Sequence, residues 1–323
     1  MLNWRIPGTI VIVSVVIIWI LIAIAVVTGA GFLVMSASDR TVQGWSNSIA
    51  TMKRETVKQD VEYREPASLE LDTFAGQVLV EVADIDTIQI IATKVAAKQE
   101  DLEKIDIKIV PRDGRVLIET VRPAGLRDVG VDFVITTPPG VDLNLRTGSG
   151  SVTANGRHGD VWVRSDSGAV TVGGSQGDVV AESSSGAVMV SGSRGDVQAT
   201  SGSGHIRLQR LSGSINAHTE SGRVEATGVS GQVRLSSSSG NIDYRGDPMG
   251  DCRFETGSGS VRLALPAALN AMVDVQTGSG KVEMGYDITG QRGHQSVKGT
   301  IGSGKAARIY VRTPSGNITL EKQ

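Results

Sequence analysis

The sequence contains little of what marks several protein classes. Its 323 residues include one cysteine, Cys252, so an intramolecular disulfide is excluded. Aromatic residues make up 4% of the chain and the net charge is -2, which excludes a basic nucleic-acid-binding protein. The four histidines lack metal-ligand spacing, and no Gly-Lys-Ser or Gly-Lys-Thr follows the Gly-Ser-Gly turns. We therefore expect no catalytic residue and no cofactor, and histidines that lie on the surface.

Glycine, in contrast, is abundant and falls at fixed intervals. The chain has 40 glycines, and from Gly150 to Gly240 one occurs every nine residues. Ser-Gly followed two residues later by an aliphatic residue recurs every 18 residues, as in Ser167, Gly168 and Val170. Such a period indicates a repeat architecture, here with two half-turns in each 18-residue coil. We expect the glycines to supply the positive φ that tight corners need.

Within each half-turn apolar and polar residues alternate, as in Val161, Trp162 and Val163. A period of two indicates a β-strand. One coil cannot bury its own apolar side chains, so each coil must lie on the one before it at about 4.8 Å. The sequence therefore predicts an all-β protein, a β-solenoid with ~18-residue coils over residues 146–323. In this register Cys252 takes an inward valine position.

Small hydroxyl residues also repeat in register, one in each coil. We expect them to form hydrogen bonds along the stack or to the backbone at the corners. The column comprises Thr147, Ser165, Ser183, Ser201, Thr219 and Ser237.

The two flanks of the regular repeat are less uniform. Toward the C-terminus the glycine spacing widens to 19 and 21 residues, and the pattern returns at Gly316, two periods after Gly280. We expect the solenoid to reach the C-terminus. Residues 67–145 alternate without a fixed period and are predicted to form an N-terminal cap and the first coils, since terminal units of a solenoid are atypical. Within them, only residues 96–104 predict a helix.

The N-terminal region has a different composition. Residues 6–38 carry no charged side chain. This stretch is long enough to span a bilayer and too long for the apolar core of a cleavable signal. We predict a short tail (residues 1–8), a transmembrane helix (residues 9–35) and a polar stalk (residues 36–66). Basic residues flank both sides of the apolar stretch, so charge alone leaves the orientation open.

Two copies of the adhesion tripeptide Arg-Gly-Asp are the first candidate sites. In the first copy the repeat itself requires the glycine and the aspartate, so the simplest interpretation is coincidence with the coil period. The second copy lies in a 19-residue coil, where a protruding loop would present it. The two copies are Arg194, Gly195 and Asp196, and Arg245, Gly246 and Asp247.

Three aspartates one coil apart, Asp160, Asp178 and Asp196, are candidate calcium ligands because stacked carboxylates repel unless bridged or capped. The double-glycine context of the calcium β-roll is missing, so the sequence favours capping of turn amides. Trp162 has no aromatic residue in register, which argues against a sugar-stacking face.

The junction TPPGVDLNLRTGSGSV at residues 137–152, followed by serial SGxV and GDV phrases, resembles the bacterial putative adhesin family of unknown function. The resemblance covers residues 67–323. It implies a right-handed β-helix behind a single membrane anchor, with the β domain extracytoplasmic at the cell membrane. We expect a non-enzymatic envelope protein that adheres to a surface, a wall polymer or a partner protein. The alternatives are a self-assembling β-helical scaffold and, more distantly, a β-helix enzyme acting on polysaccharide. The oligomeric state is left open.

Overall fold

The computed structural model describes residues 52–62 and 67–323. The predicted tail, the predicted transmembrane helix and most of the predicted stalk lie outside the described residues. Within the described part of the chain, no helix is long and apolar enough to cross a membrane.

The described chain is almost entirely β-strand, with one short helix, α1 (Gln99–Leu102). The strands before the regular repeat are β1 (Lys53–Glu62), β2 (Ser68–Thr73), β3 (Val78–Val82), β4 (Thr87–Ala96), β5 (Asp106–Arg112), β6 (Arg115–Val121) and β7 (Val129–Thr137). The strands of the regular repeat are β8 (Asp142–Thr147), β9 (Val152–Asn155), β10 (Val161–Ser165), β11 (Val170–Gly173), β12 (Val179–Ser183), β13 (Val188–Ser191), β14 (Val197–Ser201), β15 (Ile206–Gln209), β16 (Ile215–Thr219), β17 (Val224–Gly231), β18 (Val233–Ser237) and β19 (Ile242–Pro248). The remaining strands are β20 (Gly250–Thr256), β21 (Val261–Leu265), β22 (Ala271–Thr277), β23 (Val282–Met284), β24 (Thr289–Arg292), β25 (Ser296–Ile301), β26 (Ala307–Thr313) and β27 (Ile318–Lys322).

These strands form two sheets. Sheet A has 13 strands in the order β1-β4-β7-β3-β9-β11-β13-β15-β17-β19-β21-β27-β23, and sheet B has 14 in the order β24-β25-β22-β26-β20-β18-β16-β14-β12-β10-β8-β2-β6-β5. In the regular repeat the neighbours are parallel, and residues 18 apart are partners, as Val161 is with Val179 and Val179 with Val197. Each coil gives one strand to each sheet, which confirms the predicted solenoid and its period.

The core lies between the two sheets. In strands β8 to β22 inward residues are buried at alternate positions, including Val179, which is 1% exposed, and Cys252, which is 0% exposed. Cys252 stands in the column of Val233 in the preceding coil, as predicted. Because each strand is apolar on one face only, stacking buries a continuous column of Val, Ile, Leu and Ala side chains.

The predicted hydroxyl column is buried and hydrogen-bonded at each corner. In the central coil, the hydroxyl of Ser201 donates to the carbonyl of Gly186 at 2.9 Å and accepts from the N–H of Gly204 at 2.8 Å. The same pair of bonds recurs at Ser165, Ser183, Thr219, Ser237 and Thr256. One hydroxyl thus satisfies two backbone groups that the turn would otherwise leave unpaired.

The corner glycines of the repeat are required by close contact between coils. A Cβ on Gly186 would lie 2.0 Å from the carbonyl oxygen of Gly168 in the preceding coil. Most of this column, including Gly168 and Gly186, has no positive φ, whereas Gly150 does at +132°. The expectation that positive φ explains the whole series was therefore wrong, because in most coils it is backbone approach that excludes a side chain.

At both ends the coils do not stack in chain order. The first coil, β2–β3, lies between the coil β6–β7 and the coil β8–β9. The last coil, β26–β27, lies between β20–β21 and β22–β23. The solenoid reaches the C-terminus as predicted, but the coil that is last in sequence is not the last coil of the stack. The intervening residues form antiparallel strands, such as β24 and β25, that extend the sheets outward.

Residues Lys53–Glu62, which the sequence assigned to the stalk, form β1 and pair antiparallel with β4 at the edge of sheet A. Strand β1 covers the edge that β4 would otherwise leave open. Val61 of β1 is 4% exposed and packs in the core. The predicted helix is present but limited to Gln99–Leu102.

The four outermost strands carry features that oppose pairing with another chain. Strand β1 is dense in charges, β5 contains Pro111, and β23 and β24 have three and four residues. Charge, proline and short length are the usual devices that protect a sheet edge. These ends are therefore poorly suited to end-on assembly.

Candidate binding surfaces

The predicted aspartate column forms a hydrogen-bonded ladder along the N-terminal ends of successive strands of sheet B. The Oδ1 of Asp160 accepts the N–H of Asp178 at 2.9 Å, the Oδ1 of Asp178 accepts the N–H of Asp196 at 2.8 Å, and the Oδ1 of Asp196 accepts the N–H of Ser214 at 2.9 Å. Asp142 begins the ladder by accepting the N–H of Asp160 at 2.8 Å. Sequence reasoning missed Asp142, although it lies one period before Asp160.

The ladder has the geometry of turn capping, which the sequence favoured over a calcium site. Within residues 52–62 and 67–323, no three or more His, Cys, Asp or Glu side chains gather closely enough to hold a metal ion. Calcium binding by Asp160, Asp178 and Asp196 stays a prediction without a coordination group to support it.

The first Arg-Gly-Asp copy lies in the turn before β14. Arg194 and Asp196 are exposed, but one carboxylate oxygen of Asp196 is already bonded to the N–H of Ser214. Gly195 lies against the preceding coil, where a Cβ would be 2.4 Å from the carbonyl oxygen of Gly177. The tripeptide therefore follows the coil and does not project from it. A role in adhesion stays a prediction.

The second copy is not in a protruding loop, so that expectation was wrong. Arg245, Gly246 and Asp247 lie inside β19, where they pair with residues of β17. The register of the pair shifts between Thr227 and Val229, where β17 has one residue more than β19. Both strands are lengthened and the tripeptide becomes part of the sheet.

A groove of about 500 Å³ lies on the outer face of sheet B around Trp162. Its column neighbours are Asn144 and Val180, so Trp162 has no aromatic residue beside it in register, as predicted. The guanidinium carbon of Arg146 lies 4.6 Å from the centre of the Trp162 ring, a cation–π contact. The Oδ1 of Asn144 is shut off from solvent and has no hydrogen-bond partner.

The ladder carboxylates along this groove form no ion pair with the protein. Three members of the ladder, Asp142, Asp160 and Asp178, line it together with Glu70. The cation that lines it, Arg115, lies 3.8 Å from Glu70. In the part of the chain that the structure describes, no ladder carboxylate has a Lys, Arg or His nitrogen within 4.0 Å. The groove therefore has an apolar floor and remains acidic, since four carboxylates lie beside two cations, Arg115 and Arg146.

A second groove, of about 620 Å³, lies on the outer face of sheet A and includes Met189. Its charges are paired within the protein. Arg207 lies 3.1 Å from Glu225, and Arg223 lies 3.4 Å from Asp243. Charge pairing leaves this face with less electrostatic preference for a ligand than the groove at Trp162.

His158 is buried, contrary to the expectation that every histidine is on the surface. It is 0% exposed, its Nε2 lies 3.2 Å from the carbonyl oxygen of Asn155, and its Nδ1 has no partner. Burial lowers the pKa of His158 to about 4. In the equivalent turn of the next coil Ser175 is the buried side chain, so the coil period gave no signal for an inward histidine here.

Two further titratable groups are buried in the core and have structural roles. The hydroxyl of Tyr244 donates to the carbonyl of Val229 at 2.9 Å, and burial raises the pKa of this phenol. Burial also raises the pKa of the Cys252 thiol, which lowers its reactivity. The predicted inward position of Cys252 agrees with this environment.

Comparison with known proteins identifies the family to which this architecture belongs. Residues 55–321 match the model of the family described as Toastrack DUF4097. The chain belongs to this family. The matched range begins within β1, so it includes the edge strand that sequence analysis assigned to the stalk. The resemblance to a family of adhesin-like proteins of unknown function is confirmed.

Two solved structures are similar to the chain at low sequence identity. One is a putative cell adhesion protein from Clostridium sporogenes ATCC 15579, with 13% identity, coverage of 84% of this chain and 100% of that chain, and a TM-score of 0.23. The other is a putative adhesin from Bacteroides fragilis NCTC 9343, with 10% identity, coverage of 82% and 97%, and a TM-score of 0.42. No curated protein matches the chain.

Proposed function

We propose that this protein is a non-enzymatic binding protein of the cell envelope, held by a single membrane span, with its solenoid outside the cytoplasm. The observation that carries the proposal is the acidic groove at Trp162, set in outward columns that repeat with every coil. A solenoid presents such columns as one continuous face. A face of this kind is suited to binding a cell surface, a wall polymer or a partner protein.

The placement of the reactive side chains supports binding without chemistry. His158, Tyr244 and Cys252 are buried, and the hydrogen bonds of His158 and Tyr244 run to backbone carbonyls. A catalytic acid, base or nucleophile must reach its substrate, and these groups do not. The side chains that line the two grooves include carboxylates, guanidinium groups, amides, hydroxyls and the imidazole of His205, all of which can form hydrogen bonds with a ligand.

The charge-free stretch of residues 9–35 supports the membrane anchor. Protease added to intact cells tests the orientation. We expect loss of the β domain without lysis, and a protected anchor fragment. Digestion that needs lysis would mean that the solenoid is cytoplasmic.

Sedimentation tests binding. The full-length protein, in a non-ionic detergent, is centrifuged alone and with isolated cell-wall material, beside an unrelated detergent-solubilised protein as control. Pelleting only with the wall is the expected result for a wall-binding protein. Pelleting alone would favour the self-assembling scaffold, which the protected sheet edges oppose. Solubility in both cases would direct the search to a partner protein.

A further inference from the structure

We propose that the groove at Trp162 binds lysine side chains of a basic peptide segment in a partner protein. The inference rests on the proposed binding function and specifies the partner that this face fits. Its evidence is the uncompensated charge of the ladder, the choice of aspartate where a neutral residue would cap as well, and the apolar floor.

The ladder places like charges next to one another. Asp142, Asp160, Asp178 and Asp196 stand on successive rungs, which are about 4.8 Å apart in a β-sheet. Like charges on adjacent strands destabilise a sheet. Each carboxylate uses Oδ1 for a backbone N–H, and the described residues supply no cation to the ladder. A positively charged ligand would relieve the repulsion.

The same chain shows that the capping bond does not need a charge. On sheet A, the Oδ1 of Asn241 accepts the N–H of Ser260 at 2.9 Å, and the Oδ1 of Asn317 accepts the N–H of Lys281 at 3.1 Å. These asparagines precede their strands as the aspartates do on sheet B. Capping therefore explains an acceptor at each rung, but it does not explain four negative charges in a row.

Lysine matches the remaining features of the groove. Its four-carbon stem covers apolar surface while its ammonium stays in water or on a carboxylate. Trp162 and Val180 provide the apolar floor, and the ladder provides the carboxylates. A divalent metal ion instead needs several oxygens converging on one point, and the described residues contain no such group.

A peptide suits the length of the ladder. Alternate residues of an extended chain are about 6.6 Å apart, and the flexible lysine stem covers the difference from the rung spacing of about 4.8 Å. The groove volume of about 500 Å³ accommodates a few residues of such a segment. Neighbouring lysines would then bind neighbouring carboxylates.

Calorimetric titration of the full-length protein in a non-ionic detergent tests the proposal. The probe is the capped peptide Lys-Gly-Lys-Gly-Lys, and the control peptide has Glu in place of Lys. We expect binding of the lysine peptide alone, weakened about tenfold between 0.05 and 0.3 M salt because exposed ion pairs are screened. Equal binding of both peptides, or binding of neither, would overturn the proposal.

Matched variants locate the site. Asp160→Asn with Asp178→Asn keeps both capping acceptors and removes two charges, and Trp162→Gln introduces the residue that Gln198 supplies two coils later. We expect each variant to weaken binding about tenfold and to unfold no earlier than the wild type. A control that removes two charges elsewhere, Glu220→Gln with Asp287→Asn, should bind within about twofold of the wild type.

Two results with the variants would contradict the proposal. One is unchanged lysine-peptide affinity in the groove variants. The other is early unfolding of the double asparagine variant, because the negative charge would then serve the fold. Sedimentation with wall material separates this inference from the broader function. A protein that pellets with the wall but does not bind the lysine peptide retains the proposed function and loses the proposed partner.

Discussion

The hydroxyl of Thr313 donates a hydrogen bond of 2.9 Å to the carbonyl of Gly259, 54 residues earlier in the chain. In the regular coils the equivalent bond joins residues 15 apart, as between Ser201 and Gly186. On the opposite side of the last coil, the hydroxyl of Thr277 donates to the carbonyl of Gly316 at 2.7 Å. The last coil therefore makes the standard contacts of the stack with two neighbouring coils. Both neighbours precede it in sequence, and the last coil lies between them in space.

Engineered disulfides test this insertion. Arg262 of β21 and Thr319 of β27 are register partners, and Thr319 also partners Glu283 of β23. Partners on adjacent strands are close enough for a disulfide, whereas residues two rungs apart, at about 9.6 Å, are not. We expect Arg262→Cys with Thr319→Cys to cross-link under mild oxidation, as judged by mobility on non-reducing gels.

The matched control is Arg262→Cys with Glu283→Cys. If the coils stacked in chain order, these two residues would be neighbours and would cross-link efficiently. We expect no cross-link, because the last coil lies between them. Cys252 is buried and should not compete. A cross-link in the control pair and none in the first pair would refute the insertion.

A charge placed inside the stack should prevent folding. Val179 is 1% exposed and lies between Val161 and Val197 in its column. Val179→Asp buries a carboxylate without a partner, which we expect to cost more than about 4 kcal/mol and to abolish the cooperative thermal transition seen by circular dichroism. The adjacent substitution Val180→Asp faces outward and should fold. A normal transition for Val179→Asp would show that the register is wrong.

The hydroxyl column gives a smaller, graded effect. Ser201→Ala leaves the N–H of Gly204 and the carbonyl of Gly186 without their side-chain partner. We expect the free energy of unfolding to fall by about 1 to 3 kcal/mol in denaturant titrations. Ser201→Thr keeps the hydroxyl, as Thr219 does in the next coil, and should lie within about 1 kcal/mol of the wild type. Equal stability of the alanine and threonine variants would mean that the hydroxyl bonds contribute nothing.

The sequence was sufficient to predict the features that depend on period. Strands, coil length, inward valines such as Val179 and the hydroxyl column all follow from residues that recur every 18 positions. The aspartate ladder follows in the same way, and extending the period by one coil would have found Asp142. Periodicity succeeds here because each coil contacts only its neighbours, so local pattern and tertiary contact coincide.

The sequence was not sufficient where contacts skip a coil. Nothing in the spacing after Gly280 shows that Gly316 lies between Gly259 and Gly280. Residues Lys53–Glu62 look like a polar linker because a charged edge strand contacts the fold on one side only. The groove at Trp162 depends on which side chains become neighbours across coils, and the orphan Oδ1 of Asn144 is visible only when the coils are stacked.

The last prediction concerns acid stability and His158. This side chain is 0% exposed, and burial lowers its pKa from 6.5 to about 4. Between these two values the unfolded chain binds a proton that the folded protein does not, so folding becomes less favourable as the pH falls. The stabilisation is complete above pH 6.5 and is lost toward pH 4, at a cost of about 3 kcal/mol. Denaturant titrations at several pH values measure the loss.

The control is His158→Leu, which removes the titrating group. Leu211 is a buried apolar side chain in the corresponding turn three coils later, one register position before that of His158. Other acidic and basic groups titrate in both proteins, and their contribution cancels in the difference between wild type and variant. We expect that difference to change by about 3 kcal/mol between pH 7 and pH 4, with the wild type losing stability relative to the variant. A constant difference over this range would mean that His158 reaches solvent in the folded protein.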